Sequence, residues 1–241
     1  MSGTAESSVE TSERLLEAAG PIFARDGFEG ATLREICGLA GANVASVAYH
    51  FGDKMGLYRA VIRRVRETRE REFPIEDPGG DAAERMLGLI RTMLARMLHC
   101  DEKSWQAQLM MREMQSPTEV FRELVEDYFR PLFDRLLSVL QELCGEPIPR
   151  HRLEQLAFSV VGQCLYYRVG AGVVNVLVPA ERREAAFDPD SLSRHILAVT
   201  LSAANDFRRS PSESVFRQWC IPAPTSVTPP SDPSPASLPD E

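Results

Sequence analysis

The stretch that decides the fold is residues 32–66, TLREICGLAGANVASVAYHFGDKMGLYRAVIRRVR. Thr32 opens a capping-box pattern, which predicts a helix that stops near Gly41. Asn43 can cap a short second helix, and Asp53 can cap a third one that is basic along much of its length. Two helices joined by about four residues that include glycine are typical of a helix-turn-helix unit, whose second helix enters the major groove of DNA.

The side chains of the second helix suit such a contact. They are small or hydrogen-bonding, so they allow close approach to base edges and can reach phosphate oxygens. Between Ala31 and Arg66 the chain carries six basic and two acidic residues, whereas its net charge is −8. An ordinary helical hairpin with a solvated charged face would give a similar local pattern, and spacing alone does not separate the two interpretations.

Composition and motifs exclude several other classes. The polar N-terminus lacks the features of a signal peptide, and no apolar run approaches the roughly 18–20 residues of a membrane span. Five scattered cysteines without a C-x-x-C pair favour reduced thiols in the cytoplasm. The motifs of metalloproteases, P-loop proteins, serine hydrolases and dinucleotide-binding enzymes are missing, so we expect neither an enzyme nor a cofactor or metal site.

Working outward, the apolar spacing predicts a first helix over residues 11–26, closed by Gly27 and kinked at Gly20-Pro21. Residues 1–10 are polar and are expected to be disordered. The DNA-binding part should thus occupy residues 11–55, followed by a linking helix over 54–72.

The rest of the chain reads as helical. Its periodicity predicts a body over residues 73–208 and a Pro/Ser-rich disordered tail over 209–241. We expect an all-α protein of about nine helices, with an N-terminal three-helix helix-turn-helix domain and a C-terminal ligand-binding and dimerisation domain. The predicted body helices are 82–100, 104–114, 116–143, 150–174 and 191–207, with a loop at 175–190.

Residues 12–66 also resemble a known family. The resemblance is to the N-terminal domain of the tetracycline-repressor (TetR) family of bacterial transcriptional regulators. The residues that match in order are Gly27-Phe28, Thr32, Ile36, Ala40-Gly41, Tyr49, Phe51, Lys54, Leu57 and Tyr58. The ANVASVAYHFGDK wording is similar to the CecR-like subgroup, in which an Asn often stands where this chain has Ala48. So many matched positions are far more specific than a generic helix-turn-helix.

The resemblance implies a homodimer that binds a palindromic double-stranded operator and is released by a small-molecule effector. It places residues 43–50 in the groove and Phe51 in the core. The side chains expected to contact DNA are Thr32, Arg34, Asn43, Val44, Ala45, Ser46, Ala48, Tyr49, His50 and Lys54. The dimer interface is expected near 150–172 and 191–207, since the apolar excess of the first segment must be covered on several sides. A purely intramolecular core is the alternative.

An effector pocket is expected in the helical body, because methionine-rich and aromatic surfaces there are soft and adaptable. Its predicted residues are Met93, Met97, Trp105, Met110, Arg112, Met114, Phe121, Tyr128, Gln163, Tyr167 and Arg168. Ordinary core packing is the alternative for each of them. For the whole chain, the alternatives to a repressor are a helical small-molecule carrier or enzyme that retains the fold, and an adaptor acting through its acidic face and tail.

Overall fold

The computed structural model describes residues 3–75, 79–98, 104–145 and 148–209. These residues form helices and no strand, which confirms the all-α fold class. The helices are α1 Gly3–Gly30, α2 Leu33–Ala40, α3 Val44–Phe51, α4 Lys54–Glu72, α5 Ala82–Leu98, α6 Trp105–Gln115, α7 Phe121–Leu124, α8 Arg130–Cys144, α9 Arg150–Val169, α10 Ala171–Leu177, α11 Ala180–Ala186 and α12 Pro189–Arg209. The turn Val125–Phe129 is π-helical and joins α7 to α8.

The first helix is longer than predicted and bends elsewhere. It begins at Gly3, and its non-helical backbone angles fall at Gly27 (φ 75°, ψ 177°), while Pro21 stands inside the helix. The expected kink at Gly20-Pro21 is accompanied by no non-helical backbone angle there. The packing of α1 against α6 requires glycine at position 20, because a Cβ there would overlap the indole of Trp105.

Two further local expectations fail. The expected helix start at Ser116-Pro117 is wrong, because α7 begins only at Phe121 and Thr118 is held in a turn by Glu113. The spacing of Leu33, Ile36 and Leu39 predicts one apolar face on α2, yet Leu39 is 68% exposed.

The segment after Arg150 is divided more finely than predicted. A bend of 72° separates α9 from α10, and α10 and α11 occupy the expected loop at 175–190. No single helix among the described residues is long and apolar enough to cross a membrane; α9 and α10 pass that test only as a bent pair, on length and composition alone. The expected tail lies almost wholly outside the described residues.

The apolar side chains form two cores. The N-terminal core combines α1–α4 with residues of α6, α7 and the π-helical turn, including Phe23, Tyr58 and Leu109. The C-terminal core is built from α5, α8, α9 and α12 around residues such as Ile90 and Leu140. The two halves of the chain therefore meet through α6 and α7.

Candidate nucleic-acid interface and ligand cavity

Helix α3 is held by one buried side chain and one cap. Val47 is fully buried, and the Asn43 side chain accepts a hydrogen bond from the backbone N–H of Ser46 at 2.8 Å. The opposite face is open to solvent, with Tyr49 79% and Val44 52% exposed. An eight-residue helix that presents large side chains outward on a fixed base is suited to enter a groove.

The turn before α3 is fixed by Gly41. Its φ of 59° lies in the left-handed region, which side chains with a Cβ rarely adopt. In this conformation the N–H of Ala42 reaches back to the carbonyl of Cys37 at 3.0 Å, which satisfies an open end of α2. Space around Gly41 is free, so the backbone angle alone requires glycine.

The predicted DNA-contacting residues lie together along α2, α3 and the start of α4. Thr32, Arg34, Asn43, Val44, Ala45, Ala48 and Tyr49 are exposed, and Ser46, His50 and Lys54 are half-buried. Four of them already have hydrogen-bond partners within the chain: Thr32, Asn43, Ser46 and Lys54. Thr32 Oγ1 caps α2 by accepting from Glu35 N, Ser46 Oγ donates to Asn43, and Lys54 Nζ donates to the carbonyl of Glu29 over the ring of Phe28.

Much of the positive charge predicted along α4 is paired inside the protein. Arg59 binds Glu123, Arg64 binds Glu13, and Arg66 binds Asp127 at 2.8 Å. These arginines join α4 to other helices. The expected basic face is therefore reduced, and Arg34 is left exposed without a carboxylate partner in the described part of the chain.

Helix α6 connects the DNA-facing helices to the body. Glu113 is fully buried and accepts hydrogen bonds from the Tyr58 hydroxyl at 2.6 Å and from the N–H of Thr118 at 2.8 Å. Burial and the Glu113 carboxylate raise the pKa of Tyr58 above its ordinary range. The neighbouring Arg112 donates to the carbonyls of Ala24 and Arg25, where the straight part of α1 ends.

A cavity of about 520 Å³ lies between the two cores. Met110 and Tyr128 of the N-terminal core line it, and so do Met93 and Leu136 of the C-terminal core. The lining is mostly methionine, aromatic and aliphatic, as expected for a small-molecule site. Its other members are Arg69, Arg96, Met97, Ala107, Met111, Met114, Phe121, Val125, Phe129, Arg130, Leu132, Phe133, Phe158, Val161, Leu165 and Arg168.

The structure places seven of the eleven predicted ligand residues in this lining: Met93, Met97, Met110, Met114, Phe121, Tyr128 and Arg168. The other four lie elsewhere. Trp105 covers Gly20 and Arg112 holds the end of α1, so both serve the contact between α1 and α6. Gln163 donates to the Ser159 carbonyl along α9, and Tyr167 packs against Phe187. Helical spacing alone did not reveal which side of each helix faces the cavity.

Sequence reasoning missed three charged residues of the cavity, Arg69, Arg96 and Arg130. Arg69 and Arg96 are 9% and 5% exposed, although arginine is rarely buried. Arg69 Nη1 donates to the carbonyl of Arg96 at 2.6 Å, and Arg96 donates to the carbonyl of Phe73 through Nε at 3.0 Å and Nη2 at 2.8 Å. Burial raises the pKa of Tyr128, while the charges of Arg96 and Arg69 act against that rise. In the sequence both arginines look like solvated helix residues.

The described cysteines are core residues. Cys37, Cys144 and Cys164 are buried free thiols, and burial raises the pKa of Cys164 to about 12. A thiol that keeps its proton at neutral pH is a poor nucleophile. Cys100 and Cys220 lie outside the described residues.

The long helices α9 and α12 pack side by side and leave an apolar face uncovered. On α9 the outward residues Phe158, Tyr166 and Val169 are 63%, 54% and 60% exposed. Val199 on α12 is 43% exposed, and α10 adds Val173, Val176 and Leu177.

Taken together, an exposed recognition helix on a three-helix base and a cavity in a helical body define the class of helix-turn-helix regulators. Two family patterns match the sequence. The pattern of the bacterial regulatory proteins, tetR family, covers residues 15–61, and that of the C-terminal domain of the HTH-type transcriptional dual regulator CecR covers residues 82–204. The chain belongs to the TetR family, with a C-terminal domain of the CecR type.

Named relatives agree with this placement. The chain is 26% identical over 175 residues to the transcriptional dual regulator CecR of Shigella flexneri, a match covering 67% of this chain and 77% of that protein. It is 32% identical over 168 residues to the regulatory protein RaaS of Mycobacterium tuberculosis, covering 64% and 69%. These relatives are transcriptional regulators rather than enzymes.

Solved structures share the fold. A regulator from Pseudomonas aeruginosa PAO1 matches with a TM-score of 0.59 and 22% identity, over 82% of this chain and 92% of that one. AibR, solved in complex with isovaleryl coenzyme A and operator DNA, matches with a TM-score of 0.56 and 15% identity, over 78% and 97%. At these identities the likeness concerns the fold alone.

Proposed function

We propose that the protein is a transcriptional repressor that binds a palindromic operator as a homodimer and releases it when a small molecule enters the cavity. The observation that carries the proposal is the open face of α3, where Tyr49 and Val44 point outward on a helix anchored by buried Val47. Family membership supports DNA binding by this face. Among the relatives, AcnR of Corynebacterium diphtheriae is named a repressor.

The apolar face of α9 and α12 supports the homodimer. One copy of α3 reads only half of a palindrome, so a symmetric pair is needed for specificity. Exposed side chains such as Phe158 and Tyr166 would be covered by the same face of a second copy. The expected interface at 150–172 and 191–207 remains a proposal, and the exposed residues of α10 extend it towards Leu177.

The cavity supports release by a ligand, because its walls belong to both cores. A molecule that binds one arrangement of α4, α6 and α8 better than another shifts the population towards that arrangement. Since α4 begins directly after α3, its position sets the distance between the two recognition helices of a dimer.

The first experiment measures binding to a duplex carrying the protein's own promoter region, as a function of salt. We expect affinity to fall steeply with salt, since several phosphates are neutralised per dimer. Tyr49→Ala should weaken binding at least about tenfold without changing the melting temperature, because this side chain is exposed and is not part of the core. Arg34→Ala should reduce the salt slope by about 1 for each phosphate that Arg34 neutralises.

Val9→Ala serves as the matched control, since Val9 is an exposed apolar residue of α1 outside the proposed DNA and dimer faces. It should bind DNA like the wild type. Equal weakening in Val9→Ala and Tyr49→Ala, or salt-independent binding, would contradict the proposal.

The second experiment measures the dimer by light scattering. Val199→Arg places a charge on the α12 face and should produce monomers, whereas Val9→Arg, at another exposed valine on α1, should leave the dimer intact. A wild-type protein that is monomeric at micromolar concentration would remove the support for operator symmetry.

The alternative function is a small-molecule carrier or enzyme that retains the fold. The observation that favours it is the cavity itself, since 520 Å³ is ample for a ligand. A tightly held ligand combined with no affinity for any genomic fragment would select this alternative.

A further inference from the structure

The most unusual feature of the cavity is its charge. Apart from Tyr128, the lining is apolar except for four arginines, and none of the described lining residues is acidic. Arg130 is exposed and paired with Glu126. Arg69 is buried, and no ion pair joins it to a carboxylate in the part of the chain that the structure describes.

The hydrogen bonds of Arg69 are incomplete. Nη1 donates to the Arg96 carbonyl, but Nε is buried without a hydrogen-bond partner. A guanidinium remains charged at every physiological pH, so burial cannot neutralise it as it would a lysine. A buried charge with an unsatisfied donor beside a cavity indicates a site for an acceptor.

Helix termini compensate only part of the charge. Arg69 binds a carbonyl in the last turn of α5, and Arg96 binds the carbonyl of Phe73 at the end of α4. Each helix C-terminus supplies roughly half a negative charge. The end of α5 therefore offsets about half of the charge of Arg69, and an anion beside it would balance the rest.

We propose that the effector is an amphipathic anion, with an apolar body among the methionines and aromatic rings and a carboxylate or phosphate group held by Arg69 beside Arg96. This inference rests on the proposed function and names the chemistry of its ligand. Carboxylate and phosphate oxygens match the planar donors of arginine, so either group fits the same place.

The position of the two arginines also explains how such a ligand acts on α4. Arg96 holds the end of α4 through Phe73, and Arg69 on α4 holds the end of α5 through Arg96. An anion that accepts hydrogen bonds from Arg69 or Arg96 competes with these carbonyls. The end of α4 is then released from α5, and α4 leads directly back to α3.

The test measures binding of four probes by calorimetry, with DNA absent: decanoate, decyl phosphate, methyl decanoate and decyltrimethylammonium. They share one chain and differ in the head group. We expect one or both anions to bind at least about tenfold more tightly than the ester, since the ester carries no negative charge to pair with the guanidinium. The stronger anion identifies the head group. Equal binding of the ester, or preference for the cation, overturns the proposal.

The variant Arg69→Met tests whether Arg69 binds the head group. The variant should lose the preference for the anion and keep the affinity of methyl decanoate, whose retention shows that the cavity is folded. Arg130→Met is the matched control, because Arg130 also lines the cavity but is already paired with Glu126. If Arg69→Met keeps the preference while binding the ester normally, the head group lies elsewhere and the assignment is wrong.

A final measurement connects the site to DNA. The preferred anion should release the wild-type protein from its operator and should fail to release Arg69→Met. Since the probe measurement needs no DNA, failure to bind any operator would refute the proposed function alone, whereas failure to prefer an anion would refute this inference alone.

Discussion

The two cores of the molecule are built from different combinations of sequence segments. The C-terminal core is built from the C-terminal body alone, by α5, α8, α9 and α12. The N-terminal core joins the DNA-facing helices to α6 and α7, which follow α5 in sequence. The predicted boundary near residue 73 therefore divides the sequence, but it does not separate the two packed cores. The ligand cavity lies where the two cores meet, so its occupant touches both.

The largest effect is expected from breaking the contact between α4 and α6. Glu113→Ala leaves the Tyr58 hydroxyl and the N–H of Thr118 without their buried acceptor. We expect a loss of about 3 kcal/mol in the free energy of unfolding, measured by urea titration.

Glu123→Ala is the control, because Glu123 also joins α7 to α4 through Arg59 but lies at the surface. Exposed ion pairs contribute little, so its unfolding midpoint should hardly move. If the two variants behaved alike, the buried hydrogen bonds of Glu113 would not be what joins α4 to α6.

A smaller effect is expected from the contact between α1 and α6. Gly20→Ala places a methyl group against the Trp105 indole and should cost about 1–3 kcal/mol through overpacking. In a Trp105→Ala background the same change should be neutral or stabilising, since alanine favours a helix by up to about 1 kcal/mol over glycine.

The double-mutant cycle separates packing from helix propensity. Chemical denaturation of the wild type, both single variants and the double variant gives the coupling energy. A cost of Gly20→Ala that persists without the indole would mean that Trp105 is not what requires glycine.

The smallest expected effect is a difference in pH dependence between the cap of α3 in the DNA-facing half and the cap of α12 in the C-terminal body. Asn43 caps α3 with a neutral amide, so Asn43→Ala should cost about 1 kcal/mol at every pH. Asp188 caps α12 with a carboxylate, and its hydrogen bonds with Ser191 lower the pKa of Asp188. A lowered pKa stabilises the fold above the ordinary aspartate range, and this contribution is lost as the pH falls through the folded value.

Thermal melts at neutral pH and at about pH 3, below the ordinary aspartate value near 3.9, should reveal the difference. The difference in melting temperature between the wild type and Asp188→Ala should shrink in acid. The difference between the wild type and Asn43→Ala should stay constant. A gap for Asp188→Ala that is independent of pH would show that its charge contributes nothing to the cap.

The sequence predicted the DNA-facing half well where the signals are local. Thr32, Asn43 and Asp53 each cap a helix within three residues, so their roles follow from short patterns. Leu39 was misassigned because α2 is too short for its apolar spacing to fix which face is buried. The packing of Gly20 against Trp105 was not predicted, because the two residues are far apart in sequence.

The sequence alone thus determined the helical class, the family and the outward face of α3, because caps, spacing and motif order act between neighbouring residues. The tertiary structure decided the cavity and its charge. Arg69 and Arg96 are 27 residues apart and look like surface residues in their helices. Tertiary contacts bury them: Arg69 on α4 donates to the end of α5, and the Arg96 guanidinium lies over the Tyr128 ring. Burial makes their charge significant, since water no longer solvates it.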